Sequence, residues 1–220
     1  MIRRRATTPA HAEPEAKPNL EVRRTPLDEQ AAIGRVLHGE ENAFDELIQQ
    51  YQGLAYSVAY RTLQDEAAAG DAVQDSFIKA YRALSQFHGG SFKSWLMRIV
   101  VNTCYDVMRS NQWRKTESLN DLTVEDDHAA PLIDHSEGPQ EYVERAELNQ
   151  WIESGIRTLS ADQRLVLVLC DVHGYAYEEI AEITGQPMGT VKSRISRARA
   201  HLRDYLVRRP ELLPTAFRPK

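Results

Sequence analysis

The basic residues between Pro187 and Arg209 have types and spacing that suit hydrogen bonding to DNA. A single acid, Asp204, lies among seven bases in this segment. Lys and Arg donate to O6 and N7 of guanine in the major groove, and Ser can donate or accept. Outer arginines and helix N-terminal amides suit phosphates. The candidate DNA-contacting side chains are Lys192, Ser193, Arg194, Ser196, Arg197 and Arg199.

The segment that positions these residues is typical of a helix-turn-helix. Glu178–Arg199 contains a short acidic helix, a glycine turn and a basic helix, the second of which is expected to enter the major groove. Gly185 suits a left-handed turn, and Pro187 is predicted at the first helical position. The residues predicted to face the core are Val191, Ile195, Ala198 and Leu202. A merely solvated basic face is the alternative, but the coincidence of turn, proline and acidic helix favours DNA contact.

A second candidate site combines aromatic residues with bases. The segment Ser91–Thr103 holds both kinds beside the Gly-containing loop Phe87–Ser91. Such a mixture suits single-stranded DNA, through base stacking and phosphate contact. The alternative is that Phe92 and Trp95, at helical spacing, belong to the core, and for Trp95 this is the favoured interpretation.

Composition excludes several other classes of protein. The net charge is −5, yet the segment Lys79–Lys115 is basic and contains one acid, Asp106. Binding to nucleic acid depends on such local patches of charge and not on the net charge of the chain. No apolar run reaches the roughly 18 residues of a membrane span. The cysteines, Cys104 and Cys170, lack the C-x-x-C spacing of a metal site, and a cytoplasmic location is expected. The histidines are scattered, so neither a catalytic site nor a cofactor is expected.

The periodicity predicts an all-α chain made of two small helical domains joined by a flexible acidic linker. We expect the first domain over 27–115 and the second, which ends in the helix-turn-helix, over 141–209. The linker, 116–140, contains acids but no Lys or Arg. A disordered tail is expected over 1–26, and a second tail over 210–220.

Three segments together resemble the extracytoplasmic-function sigma factors of bacterial RNA polymerase, and the resemblance covers about 28–209. Asp71–Tyr81 resembles the family's polymerase-binding helix, and Phe92–Asn102 resembles its promoter-melting helix. Gly189–Arg194 resembles its reader of the promoter −35 element. The additional middle domain that larger sigma factors carry has no room here.

The resemblance implies partners and residue roles. Core RNA polymerase would be bound through the clamp helices of its largest subunit and the flap of its second-largest subunit. Promoter DNA would be read as duplex at −35 and as melted strand at −10, where the loop Phe87–Ser91 receives a flipped base. The linker would thread through the active-site cleft, and an anti-sigma factor is a further candidate partner. The implied −10 residues are Phe87, Lys93, Trp95, Arg98, Asn102 and Arg109, and the implied polymerase-binding residues are Asp71, Gln74 and Asp75.

Two other classes of protein remain as alternatives. A two-domain activator or repressor shares a similar last domain, but it is expected to carry a sensing α/β domain first. A helical hydrolase using Asp71 and Asp75 requires further metal ligands, and the sequence offers none at suitable spacing. Both alternatives fit the first domain less well than a sigma factor does.

Overall fold

The described residues form a bundle of helices. A computed structural model of the chain describes residues 27–117 and 139–213, with side chains over 27–110 and 145–213. Within these ranges there is no β-strand, and the predicted all-α class is confirmed. The helices are α1 Glu29–Leu37, α2 Ala43–Leu63, α3 Glu66–Ala83, α4 Phe92–Glu117, α5 Pro139–Arg157, α6 Ala161–Leu167, α7 Tyr177–Thr184 and α8 Met188–Leu206.

The first domain is built around α2, which packs against α1, α3 and α4. Small side chains on α2 permit this close approach, since Ala55 and Ala59 are fully buried. Aspartates begin two of the helices: Asp28 accepts from the Ala31 amide at 3.0 Å, and Asp65 accepts from the Ala68 amide at 2.7 Å. Such N-caps satisfy amides that the first helical turn leaves unpaired.

The second domain contains α5 to α8, with a π-helical turn, Val168–Val172, between α6 and α7. His173 ends this segment and Gly174 follows with φ +70°, as the His-Gly pair predicts. Ser160 lies at the predicted N-cap of α6, although its side chain makes no capping hydrogen bond. A buried cluster of Ile156, Leu159, Leu167, Val168 and Ala198 joins α5, α6 and α8.

The turn of the helix-turn-helix forms as the sequence predicts, with one difference. Gly185 has φ +65° and ends α7. Pro187 was predicted to be the first helical residue, but it precedes α8, because its ψ of 141° is extended. The fixed proline φ suits either position, so the sequence could not separate them.

Other predictions concern residues that the structure describes only in part. The acidic linker predicted over 116–140 has its first two residues in α4 and its last two in α5. The rest of it, 118–138, lies outside the described residues. So do the N-terminal tail predicted over 1–26 and most of the C-terminal tail, 214–220.

The two domains pack together through two pairs of helices. Helix α4 packs against α7, and α2 packs against α6. Buried apolar residues of both domains form one continuous cluster, which includes Leu96 and Val100 of α4 and Ile180 and Ile183 of α7. The core of the first domain therefore continues into the second.

Gly155 of α5 lies closely packed against two side chains of α8. A Cβ built there would lie 2.6 Å from Leu202 Cδ1 and 2.9 Å from Tyr205 Cδ1. Gly155→Ala is expected to lower the free energy of unfolding of the second domain by about 1–3 kcal/mol, because overpacking displaces both side chains. Gly70→Ala is the matched control, since a Cβ in that helix meets nothing within 4 Å. Thermal and urea unfolding measure both variants, and equal stability of the two would contradict the close approach.

Candidate nucleic-acid interface

Helix α8 has one buried face and one basic face. Val191, Ile195 and Ala198 are at most 1% exposed, which confirms the packing face predicted from the sequence. Lys192, Ser196 and Arg197 are exposed on the other side, near the beginning of the helix. Helix α7, whose Ile180 and Ile183 are buried, supports α8 from behind. The basic side chains of α8 therefore point away from the buried face that packs on α7.

Two of the predicted DNA-contacting arginines already have acidic partners. Arg194, which is half-buried, pairs with Asp162 of α6 at 2.6 Å. Arg199 donates from Nε to Oδ2 of Asp171 at 2.9 Å, and this bonding raises the pKa of Arg199 and lowers that of Asp171. Both arginines are held in place by these acidic partners.

Another predicted residue, Arg197, folds back along its own helix. It donates from Nε to the Ser193 carbonyl at 3.2 Å and from Nη2 to Ser193 Oγ at 3.1 Å. Ser193 is half-buried and also donates to the Thr190 carbonyl. The exposed side chains of Lys192 and Ser196 therefore offer the most accessible hydrogen-bonding groups of the six candidates.

An aromatic cluster stands where the first domain was predicted to bind an unpaired strand. Phe87, Phe92 and Trp95 lie with ring centroids 5.4–5.8 Å apart. Phe92 is fully buried and belongs to the core. Trp95 and Phe87 are half-buried, so each packs on Phe92 with one side and leaves part of its ring accessible. Both sequence interpretations of Trp95, core and surface, are therefore partly right.

The basic and amide candidates on α4 lie in two environments. Three of them are on an exposed face of the helix, and Lys93, near its beginning, is covered by the second domain. Arg98, Asn102 and Arg109 are exposed, and their spacing of four and seven places them on a common helix face. Lys93 instead lies over the ring of Tyr175 of the second domain, with Nζ 4.5 Å from the centroid. Gly89 and Gly90, with φ +98° and +91°, form the adjoining loop.

Helix α3 carries the acidic candidates on an exposed face. Asp71, Gln74 and Asp75 are all exposed. Ile78 and Tyr81 of the same helix are large apolar residues, yet they are 41% and 40% exposed. They follow Asp71 and Gln74 at a spacing of seven and so share the acidic face. The sequence carried this signal, because Ile78 and Tyr81 lie seven residues after the polar Asp71 and Gln74, which places polar and apolar side chains on one face.

His173 lies between the two domains and is held neutral. Its Nε2 is 3.1 Å from Ser57 Oγ of α2. Burial, together with the positive charges of Arg61 and Lys93, lowers the pKa of His173 to about 4.

Across the described part of the chain, His, Cys, Asp and Glu form no group able to hold a metal ion. No helix among the described residues is long and apolar enough to cross a membrane.

The fold and this surface define a helix-turn-helix DNA-binding protein with a second helical domain. Family models match both halves: Sigma-70 region 2 over residues 47–114 and Sigma-70, region 4, over residues 149–202. The chain belongs to the extracytoplasmic-function sigma factors of bacterial RNA polymerase. It is thus a transcription-initiation factor and not an enzyme, as the sequence predicted.

Similar proteins support the family over most of the chain. The RNA polymerase sigma-H factor of Pseudomonas aeruginosa is 38% identical over 182 residues, which cover 80% of this chain and 92% of that protein. The ECF RNA polymerase sigma-E factor of Escherichia coli K12 is 36% identical over 175 residues, or 79% and 91% of the two chains. A solved structure, the sigma factor RpoE in complex with the anti-sigma factor NepR from Bartonella quintana, is 29% identical with a TM-score of 0.62. That likeness covers 75% of this chain and 97% of the other.

Proposed function

We propose that this sigma factor reads promoter DNA at two points, with duplex at −35 bound by α8 and melted strand at −10 bound by α4. The proposal for −35 binding rests on the two different faces of α8, one buried and one exposed. Its Val191–Ile195–Ala198 face is buried, while Lys192, Ser196 and Arg197 are exposed at the end that follows the turn. A recognition helix contacts base edges with its N-terminal residues, and these are the residues left open.

The −10 half rests on the composition of one surface of the first domain. The exposed basic and amide groups of Arg98, Asn102 and Arg109 follow one face of α4 and suit a sugar-phosphate backbone. The half-buried rings of Phe87 and Trp95 offer a surface on which an unpaired base can stack. Stacking on these rings would offset part of the few kcal/mol that base extrusion costs.

Core RNA polymerase and an anti-sigma factor are the proposed protein partners. The exposed face of α3 combines the carboxylates of Asp71 and Asp75 with the apolar side chains of Ile78 and Tyr81, as a binding surface for a basic, partly apolar helix requires. The clamp helices of the largest subunit would dock there, and the flap of the second-largest subunit would contact the second domain. An anti-sigma partner is proposed because a similar sigma factor was solved in complex with one.

Transcription from a randomised promoter library tests the two-point model. Core polymerase with the full chain is expected to select templates with two conserved blocks, and permanganate footprinting is expected to show unpaired thymines only at the downstream block. A double variant, Arg98→Ala with Asn102→Ala, should reduce strand opening while leaving upstream protection of the duplex intact. Selection of one block, or unchanged opening by the variant, would contradict the assignment of α4.

The same assay distinguishes the proposed sigma-factor function from that of an ordinary activator or repressor. Such a regulator protects duplex DNA tightly without polymerase, and its templates already carry a promoter that polymerase recognises. The proposed function expects no initiation and only weak protection by the chain alone.

A further inference from the structure

Arg199 of α8 is held by side chains from the two elements that precede this helix. Its Nε donates to Asp171 Oδ2 at 2.9 Å, and its Nη2 donates to Oδ1 of the same carboxylate. Its Nη1 donates to the Tyr177 hydroxyl of α7 at 3.3 Å. Each nitrogen of the guanidinium therefore has a partner within the second domain, and two of them form a bidentate ion pair with Asp171. Bidentate pairs fix direction as well as distance and are stronger than neutral hydrogen bonds.

Asp171 reaches Arg199 from the π-helical turn that follows α6. In this turn the His173 amide donates to the Val168 carbonyl, five residues earlier, at 3.1 Å. Turns of this kind are rare and occur frequently at functional sites. The hydrogen bonds from Arg199 lower the pKa of Asp171, so its carboxylate stays charged at neutral pH. An unusual local backbone thus presents a charged group to α8.

A second pair of Arg and Asp holds the other edge of α8. Arg194 pairs with Asp162 of α6 at 2.6 Å. At 3.6 residues per turn, Arg194 and Arg199 lie about 140° apart around the helix axis. The buried apolar face of α8 lies between them, so one ion pair flanks this face on each side. Both edges of the helix are therefore attached to the elements behind it.

Such attachment matters because apolar packing alone does not fix the rotation of a helix about its axis. Hydrophobic contact is non-directional. Side chains end about 5–6 Å from the helix axis, so a rotation of about 10° moves them by about 1 Å. A hydrogen bond to a base edge needs a donor–acceptor distance of about 2.7–3.2 Å, and a displacement of about 1 Å breaks it. A small rotation therefore removes the reading of bases while electrostatic attraction to phosphate continues.

The negative charge of Asp171 is unfavourable for general attraction to DNA. Lys192 and Ser196, seven and three residues before Arg199, share its side of α8. An acid at the edge of this side repels phosphate and weakens binding that does not depend on sequence. A favourable effect of Asp171 on the −35 contact must therefore come through its hold on Arg199.

We propose that Asp171 is a positioning residue for −35 recognition, which acts through Arg199 to fix the rotation of α8 within the second domain. This inference rests on the proposed function for the assignment of α8 to the −35 element. Arg199 holds the helix, and Lys192 and Ser196 beside it read the base edges. Loss of the pair between Asp171 and Arg199 lowers discrimination between −35 sequences and leaves the helical fold intact.

NMR spectroscopy of the full chain without DNA tests the ion pair itself. A guanidinium held at two nitrogens by one carboxylate rotates slowly, so the Arg199 Nε–H group is expected to give a sharp signal that exchanges slowly with water. Arg199→Lys removes this signal and thereby identifies it. Asp171→Asn should broaden it. Glu182→Gln is the matched control, since it removes one charge from an exposed acid of α7, and it should leave the signal unchanged. An unchanged signal in Asp171→Asn would overturn the ion pair.

Transcription measures the consequence for DNA recognition. Core polymerase with each full-length variant is given a selected promoter and templates changed at single −35 base pairs, and the ratio of transcripts measures discrimination. Asp171→Asn should lower this ratio by about three- to tenfold, as expected for a residue coupled to the contacting ones. Glu182→Gln should keep the parent ratio, and Asp171→Glu, which retains the carboxylate, should keep most of it. Circular dichroism should stay helical in all of these variants.

Two comparisons separate positioning from an effect of charge. Asp171→Asn and Glu182→Gln remove the same charge, so both should bind a labelled duplex of random sequence at low salt at least as tightly as the parent. Arg199→Lys keeps its positive charge but loses the planar fork, and it should lower discrimination as Asp171→Asn does. It also carries the test if Asp171→Asn does not fold. Parent discrimination in Asp171→Asn with a broadened NMR signal, or an equal loss of transcription from every template, would overturn the positioning role.

Lys192→Ala on the same templates separates this inference from the proposed function. If Lys192→Ala relaxes the −35 preference and Asp171→Asn does not, α8 reads the element and the positioning role of Asp171 fails. If neither variant changes the −35 preference while the Arg199 signal shows the ion pair, the assignment of α8 to the −35 element fails, and the positioning role fails with it.

Discussion

Asp75→Arg is expected to abolish co-purification of the chain with core RNA polymerase. Asp75 is exposed on α3 and shares its face with Asp71, Ile78 and Tyr81, so the replacement touches no part of the core. The proposed partner surface is basic, and a reversed charge replaces attraction with repulsion inside a contact that apolar residues dehydrate. Charge changes of this kind cost about 2–5 kcal/mol, or at least about thirtyfold in affinity.

Glu66→Arg is the control for this prediction. Glu66 is an exposed acid on the same helix, and nine residues before Asp75 it lies on the opposite side of α3. It should keep polymerase binding in a pull-down with immobilised core enzyme. Retained binding by Asp75→Arg, or equal loss by Glu66→Arg, would show that this face of α3 does not make the contact.

The second large effect is expected at Lys192. Lys192→Ala should lower transcription that depends on the −35 element, and the loss should correspond to about 1–3 kcal/mol if the contact is to a guanine edge. The side chain is exposed at the beginning of α8, so stability should not change. Run-off transcription with saturating core polymerase on a selected promoter measures the loss.

A base-specific contact of Lys192 is distinguished from general electrostatic attraction to DNA by measuring transcription from templates that differ at single base pairs. Lys192→Ala should relax the preference at one −35 base pair, since base-edge contacts carry specificity. Arg203→Ala, three turns further along the exposed side of α8, should weaken all templates equally or have no effect. A uniform loss in both variants would mean that Lys192 binds phosphate and reads no base.

Local periodicity was sufficient to predict the helix-turn-helix. The buried face of α8 and the left-handed Gly185 both follow from residues within one or two turns of each other. The position of Pro187 differed by one residue because its φ fits both the cap and the first turn. Patterns of this kind depend on neighbours in the chain, which the sequence displays directly.

Contacts between distant residues were not predictable in the same way. The acid partners of Arg194 and Arg199 lie 32 and 28 residues away, and Glu153, which pairs with Arg61, lies 92 residues from it. Helical spacing gives the direction of a side chain but does not show which helix it meets. The partial exposure of Ile78 and Tyr81, at 41% and 40%, depends on the same unknown, namely which helices pack against α3.

The continuous apolar cluster makes the packing between the two domains dependent on temperature. Leu96 and Val100 share one buried cluster with Ile180 and Ile183, so separation of the domains brings apolar surface into contact with water. Newly hydrated apolar surface raises the heat capacity, and hydrophobic association weakens on cooling. Cooling is therefore expected to weaken the packing of α4 against α7.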